Sequence, residues 1–97
     1  MTNLARAQQP PANGMTFGSA IEALKKSLRV ARVGWNPKGT CHAWLELQQP
    51  DAHSKMTMPY IYLNLNYPED MKTKTSSRAP WVPSHFEMLA EDWSIVE

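Results

Sequence analysis

Two stretches of strict alternation constrain this chain more than anything else in it. Between Cys41 and Gln48, one parity holds Cys41, Ala43, Leu45 and Leu47 and the other His42, Trp44, Glu46 and Gln48. The same period returns from Met58 to Leu65, where Ile61, Leu63 and Leu65 oppose Tyr60, Tyr62 and Asn64. A period of two sends successive side chains to opposite faces of a sheet, so each stretch reads as a strand with one buried and one polar face.

A helix is available upstream. Phe17, Ile21, Leu24 and Leu28 recur at helical steps, with Thr16 as the expected N-cap and an end expected near Ser27 to Arg29. Glu22, Lys25 and Lys26 fall off that stripe. Arg29 to Val33 alternates like a strand, and Val30 beside Ala31 leaves open which face is buried. Asn36-Pro37-Lys38-Gly39 carries the residues of a type I turn, which would join this strand to the next as a hairpin. Pro50 to Lys55 is a polar connection, and Asn66 to Ala79 lacks periodicity and reads as a long loop. Trp81 and Val82 suit a short strand, Ser84 to about Ala90 a short helix and Trp93 to Val96 a last strand. The order helix, three strands, loop, strand, helix, strand predicts an α+β fold. Its sheet would be small and antiparallel, with an N-terminal helix and a short C-terminal helix.

The chain's 97 residues, 42% of them hydrophobic, suffice for one domain with one modest core. Residues 1–14, with Gln8, Gln9, Pro10, Pro11, Asn13 and Gly14, lack apolar periodicity and read as a flexible lead-in to a single domain over 15–97. A core this small favours self-association, so the domain is expected to be homo-oligomeric. A net charge of +1 supplies no broad field for duplex nucleic acid. Cys41 is the single cysteine, which excludes an intrachain disulfide, and no apolar run reaches membrane-spanning length. These features predict a cytoplasmic protein with no membrane partner.

Pro80 to Trp93 is the densest chemical stretch. Ser84 and Glu87 have capping-box spacing, so a helix start with amide donors is expected just after Trp81, itself held between Pro80 and Pro83. Such a segment offers adjacent places to an anion and a flat ring. Trp35, between Gly34 and the turn, carries two readings: a stacking platform at a strand end, or a plug in the core. Trp81 carries the same two. Trp93 reads as core, and Trp44 with Tyr60 and Tyr62 as an aromatic subunit contact. Arg32, Lys38 and Arg78 are the cations nearest these aromatics in sequence, and an arginine can hold a phosphate bidentately. Asn36, Ser84, Glu87 and Asp92 have groups able to meet ribose hydroxyls, although turn and cap roles already account for Asn36 and Ser84. His42, His53 and His85 lack metal-ligand spacing, and neither a Gly-rich phosphate loop nor a nucleophile elbow occurs. The sequence therefore predicts no enzyme, no metal and no cofactor.

Four segments carry a resemblance: Phe17-Gly18-Ser19-Ala20-Ile21-Glu22-Ala23-Leu24, Val30-Ala31-Arg32-Val33-Gly34-Trp35-Asn36, Met58-Pro59-Tyr60-Ile61-Tyr62, and Pro80 to Trp93. In this order they resemble the small phage domain family that includes the Thoeris anti-defence protein 2 group. The likeness covers about residues 15 to 97, with His85, Glu87 and Ser19 as departures from the usual pattern. It implies a non-catalytic sponge, a homotetramer that captures cyclic ADP-ribose-type signals (glycocyclic ADP-ribose among them) made by TIR enzymes of an infected host. In some members a second pocket would take cyclic dinucleotides. It further implies that Phe17, Arg32, Trp35, Asn36, Arg78, Trp81, Ser84, His85 and Glu87 contact the ligand. The competing expectation is a phage structural or protein-interaction module using its exposed Trp and Tyr residues.

Overall fold

A computed structural model describes residues 14–36, 42–66 and 76–96. The chain runs α1 (Phe17–Lys25), β1 (Arg29–Arg32), a 3-10 turn (Val33–Trp35), β2 (His42–Gln48), β3 (Tyr60–Asn66), β4 (Ser77–Pro80), α2 (His85–Leu89) and β5 (Trp93–Val96). The strands form one antiparallel sheet in the order β4-β3-β2-β1-β5. The expected α+β class, antiparallel sheet and two helices are all present.

The first helix begins as its sequence requires, the Thr16 hydroxyl accepting the Ser19 N–H at 3.2 Å. It stops sooner than the apolar stripe suggests. Ser27 takes the left-handed conformation at φ 68°, and the Lys26 and Ser27 N–H groups turn back onto the Ala23 and Leu24 carbonyls. Leu28, expected as the fourth residue of the stripe, lies beyond this end and is exposed. Burial falls instead on Ala20, Ala23 and Leu24, two of them small enough for close approach to the sheet.

Cross-strand register fixes which sheet face α1 covers. Val30 pairs with Leu45, Leu45 with Leu63 and Leu63 with Ala79, so these side chains share one face. Met15, Ala20, Ala23, Leu24, Val30, Leu45 and Trp93 form the buried cluster beneath α1. The last strand closes the sheet beside β1, Arg29 opposite Val96 and Arg32 opposite Trp93. Met15 bridges to Trp93 through two backbone hydrogen bonds of 2.8 and 3.2 Å.

The fourth strand corrects the sequence reading. It occupies Ser77–Pro80, at the end of the stretch Asn66 to Ala79 read as loop and one residue past it, rather than Trp81 and Val82. All four of its residues are exposed, so no burial pattern marks it, and its pairing with β3 alone defines it. Trp81 still donates its N–H to the Ile61 carbonyl at 3.0 Å, whereas Val82 lies outside the ladder. The middle of the predicted turn (Pro37 to Gly39), Cys41, part of the predicted loop and the predicted lead-in before Gly14 lie outside the described residues.

Candidate functional site

Trp93 organises the site. Its side chain is fully buried on the α1 face of the sheet, as expected of a core residue. Three half-buried rings gather round it from three different parts of the chain. The start of α1 brings Phe17 to 5.5 Å between ring centroids, the 3-10 turn brings Trp35 to 5.4 Å, and the segment after β4 brings Trp81 to 6.0 Å. Trp81 also meets Phe17 at 6.3 Å and Trp35 at 6.2 Å. The tryptophan pairs are edge-to-face, with interplanar angles of 68° to 84°, an arrangement ring quadrupoles favour. Phe17, Trp35 and Trp81 are thus brought together, each packed on the core yet partly open to solvent.

A charged pair borders this cluster. Arg32 lies opposite Trp93 in the β1–β5 register, and its Nε and Nη2 donate to Asp92 Oδ1 and Oδ2 at 2.8 and 3.3 Å. The guanidinium hydrogen bond, reinforced by its charge, holds the Asp92 carboxyl below the ordinary carboxylate range. The Asp92 carbonyl accepts the Val33 N–H at 3.1 Å, which ties the turn carrying Trp35 to the segment carrying Trp93.

Asn36 serves as a clasp on β2. Its amide nitrogen donates to the Ala43 carbonyl at 2.9 Å and its oxygen accepts the Ala43 N–H. Both ends of this side chain are committed to the strand. At α2 the expected capping box is complete: the Ser84 N–H donates to Glu87 Oε1 at 2.7 Å and the Glu87 N–H to Ser84 Oγ at 3.3 Å. Those two amides are consequently spent within the chain, with a carboxylate already at the helix start. The Trp93 indole N–H donates to the Glu87 carbonyl at 3.0 Å and so moors α2 to the ring cluster. His85 is exposed on α2.

Arg78 stands apart. It follows in register after Trp44 and Asn64, a row on the sheet face away from α1, and its Nε donates to Asn64 Oδ1 at 3.0 Å. That face carries a network absent from the sequence reading. Glu46 accepts the Trp44 indole N–H at 2.7 Å, the Tyr62 hydroxyl at 3.0 Å and the Asn64 amide at 3.2 Å. Burial, joined by the Glu46 hydrogen bond and charge, pushes the Tyr62 phenol above its usual range. Arg29 caps the other end with its guanidinium 5.3 Å from the Trp44 ring centroid. The alternation had already put Trp44 and Glu46 on one face and Tyr62 and Asn64 on another common face. Only the register between β2 and β3 was needed to bring the four together.

Hollows open on both faces of the sheet. An apolar groove of about 450 Å³ runs between α1 and the ends of β2 and β3, with Ile21, Leu47, Pro59, Ile61 and Trp81 in its walls and Lys25 at its lining. On the opposite face, hollows of about 190 and 200 Å³ flank Arg78. Among the described residues no cluster of three His, Cys, Asp or Glu side chains is arranged to hold a metal ion, and no helix is long and apolar enough to cross a membrane.

Comparison with known proteins meets this geometry from the sequence side. The family model described as Tad2-like, the Thoeris anti-defense 2-like domain, matches residues 15–96, a span that starts at the Met15 bridge and ends with β5. The chain is also similar to the protein named Thoeris anti-defense 2 of Bacillus phage SP01, with 34% identity over 90 residues, covering 84% of this chain and 94% of that protein. With the match reaching from the first bridged residue to the last strand, the chain belongs to the Thoeris anti-defence 2-like family.

Proposed function

We propose that this protein is a non-catalytic phage anti-defence sponge that binds and sequesters cyclic ADP-ribose-type immune signals made by TIR enzymes. Family membership supports the anti-defence role. The observation that carries the binding reading is the half-open ring cluster of Phe17, Trp35 and Trp81 around Trp93, with Arg32 at its border. Aromatic faces suit the adenine, since stacking contributes roughly 1–3 kcal/mol per base in single-strand binders. Arg32 engages Asp92 through Nε and Nη2, which leaves Nη1 for a phosphate oxygen. Ribose hydroxyls would meet the groups that the capping bonds do not use, the Ser84 O–H and Glu87 Oε2, together with the exposed His85 ring on the same helix, while Asn36 holds the Trp35 turn against β2 beside them. Arg78, between its two hollows on the far face, is the cation of a second pocket suited to a cyclic dinucleotide.

In this reading residues 15–97 form the signal-binding domain, residues 1–14 lead into it, and the protein works as a homotetramer in the cytoplasm of the infected cell. Sequestration demands that the ligand be enclosed, and pockets shared between subunits enclose it with a short chain. A second reading, a protein-interaction module, has its own support in the exposed Val82, Phe86 and Leu89.

One experiment separates these readings. The protein is incubated with glycocyclic ADP-ribose, freed of unbound ligand by gel filtration and heated, and the supernatant is analysed by mass spectrometry. Recovery of intact ligand in near-stoichiometric amount is expected. Altered ligand would mean an enzyme, and no retained ligand an interaction module.

A further inference from the structure

The guanidinium at the border of the ring cluster is already matched to a carboxylate, which is an unusual way to receive an anion. Arg32 gives Nε and Nη2 to the two carboxylate oxygens of Asp92, at 2.8 and 3.3 Å, a side-on pairing that fixes the plane of the guanidinium. Asp92 is fixed in turn, since its carbonyl accepts the Val33 N–H at 3.1 Å. The pair is only partly covered, with 28% of the Arg32 side chain and 40% of the Asp92 side chain exposed. An anion that reaches Nη1 therefore meets both charges.

A second carboxylate lies within electrostatic reach. The Asp92 hydrogen bond holds the Arg32 pKa above its usual range, and the charges of Asp92 and Glu87 add to the effect. Three other cations are engaged elsewhere: Lys25 faces Glu22 at 3.4 Å on α1, while Arg29 lies over Trp44 and Arg78 bonds Asn64 on the far face. One guanidinium thus stands against two carboxylates at this border. Nη1 can still donate to a phosphate oxygen, but the field behind it is close to neutral or negative. Phosphates differ in what they ask of such a field. Inside a diester or an anhydride a phosphate carries one negative charge, whereas a terminal phosphate carries close to two. The donor satisfies the first charge, and the second gains no further attraction and is repelled by Asp92.

We infer that Asp92 determines specificity: by offsetting the charge of Arg32 beside the rings, it admits internal, singly charged phosphates and discriminates against terminal ones. The inference rests on the sponge reading and narrows its ligand class. A cyclised signal has only internal phosphates, whereas adenosine mono-, di- and triphosphates present the same adenine to the rings and end in a terminal phosphate. Aromatic stacking alone accepts all of them. The carboxylate supplies the repulsive element by which a site rejects the wrong member of a chemically similar set.

The test uses two probes that differ by one charge, ADP and its β-methyl ester, as competitors for glycocyclic ADP-ribose on the full chain in displacement calorimetry. Wild type should prefer the ester roughly tenfold, the scale of one added like charge beside a half-exposed ion pair. That preference should fade in about 1 M sodium chloride, where charges are screened within a few ångströms. Asp92→Asn keeps an acceptor for Arg32 without the charge, and should bring the ratio of the two affinities to about one, chiefly by tightening ADP. Asp92→Glu should retain the wild-type preference. An Asp92 that served the fold alone would weaken both probes alike and leave their ratio unmoved. Equal affinity of wild type for ADP and ester would overturn the inference. So would a preference that survives in Asp92→Asn or in high salt, or two probes that fail to displace the signal. These outcomes leave the sponge reading standing, whereas a wild type that binds no glycocyclic ADP-ribose defeats that reading itself.

Discussion

Single side chains here serve two masters, and their titration exposes it. Asp92 orients Arg32 through its carboxylate and the 3-10 turn through its carbonyl. Because its folded pKa is depressed, the ionised form adds stability above the ordinary carboxyl range near pH 4, and that increment disappears as pH falls through the lower folded value. With the Asp92 side chain 40% exposed, the pair is worth about 1 kcal/mol or less. Asp92→Asn should therefore lower the urea midpoint at pH 7 slightly, and the difference between wild type and variant should vanish once pH has fallen below the depressed folded value. Glu46 makes a second case. Replacing it with Gln keeps an acceptor but removes the charge, so the Tyr62 phenol, now held high by burial and by that carboxylate, should ionise at lower pH. Ultraviolet titration of the phenolate band reads the change directly. An unmoved curve would mean that burial alone sets the Tyr62 value.

At the scale of elements, legibility tracked burial. The strands β2 and β3 were readable because one parity faces the core beneath α1, and α2 was readable from Ser84 and Glu87, whose capping bonds both form. The strand Ser77–Pro80 was not, since an exposed edge strand is specified by its partner's free backbone and leaves no hydrophobic period in its own residues. The same reason explains what was legible in the site. Trp35 and Trp81 were picked out by their flanking Gly and Pro residues, yet their meeting at Trp93 depends on β5 returning beside β1 across more than sixty residues of sequence, and no local pattern encodes that. Arg78 precedes Trp81 by only three positions, but its pairing with Asn64 puts it on the other face of the sheet. The small α2 offers a measurable consequence. Ser84→Ala removes one capping acceptor, which typically costs about 1 kcal/mol, and the Trp93–Glu87 bond should transmit the loosening to the ring cluster. A small fall in melting temperature with a change in tryptophan fluorescence is expected. Fluorescence identical to wild type would show that the mooring survives without the cap.

Taken whole, the domain is held at its start by a residue that sequence patterning did not single out. Met15 is fully buried and pairs with Trp93 through two backbone bonds. Deleting residues 1–13 should leave thermal stability unchanged, while Met15→Ala should cost about 2–5 kcal/mol, the range for large-to-small changes in a core. A truncation that melts early would place part of the fold upstream of Met15. The bridge has a further consequence. Because Met15 lies against Trp93, it shares one spot with the start of β5, with Val96 only three residues along that strand, about 10 Å away. The segment from Met15 to Val96 thus nearly closes on itself. A permuted gene in which a few glycines and serines join Val96 to Met15, and new termini open within the exposed stretch around Asp51 to His53, should encode the same tertiary structure with its ends moved to the connection between β2 and β3.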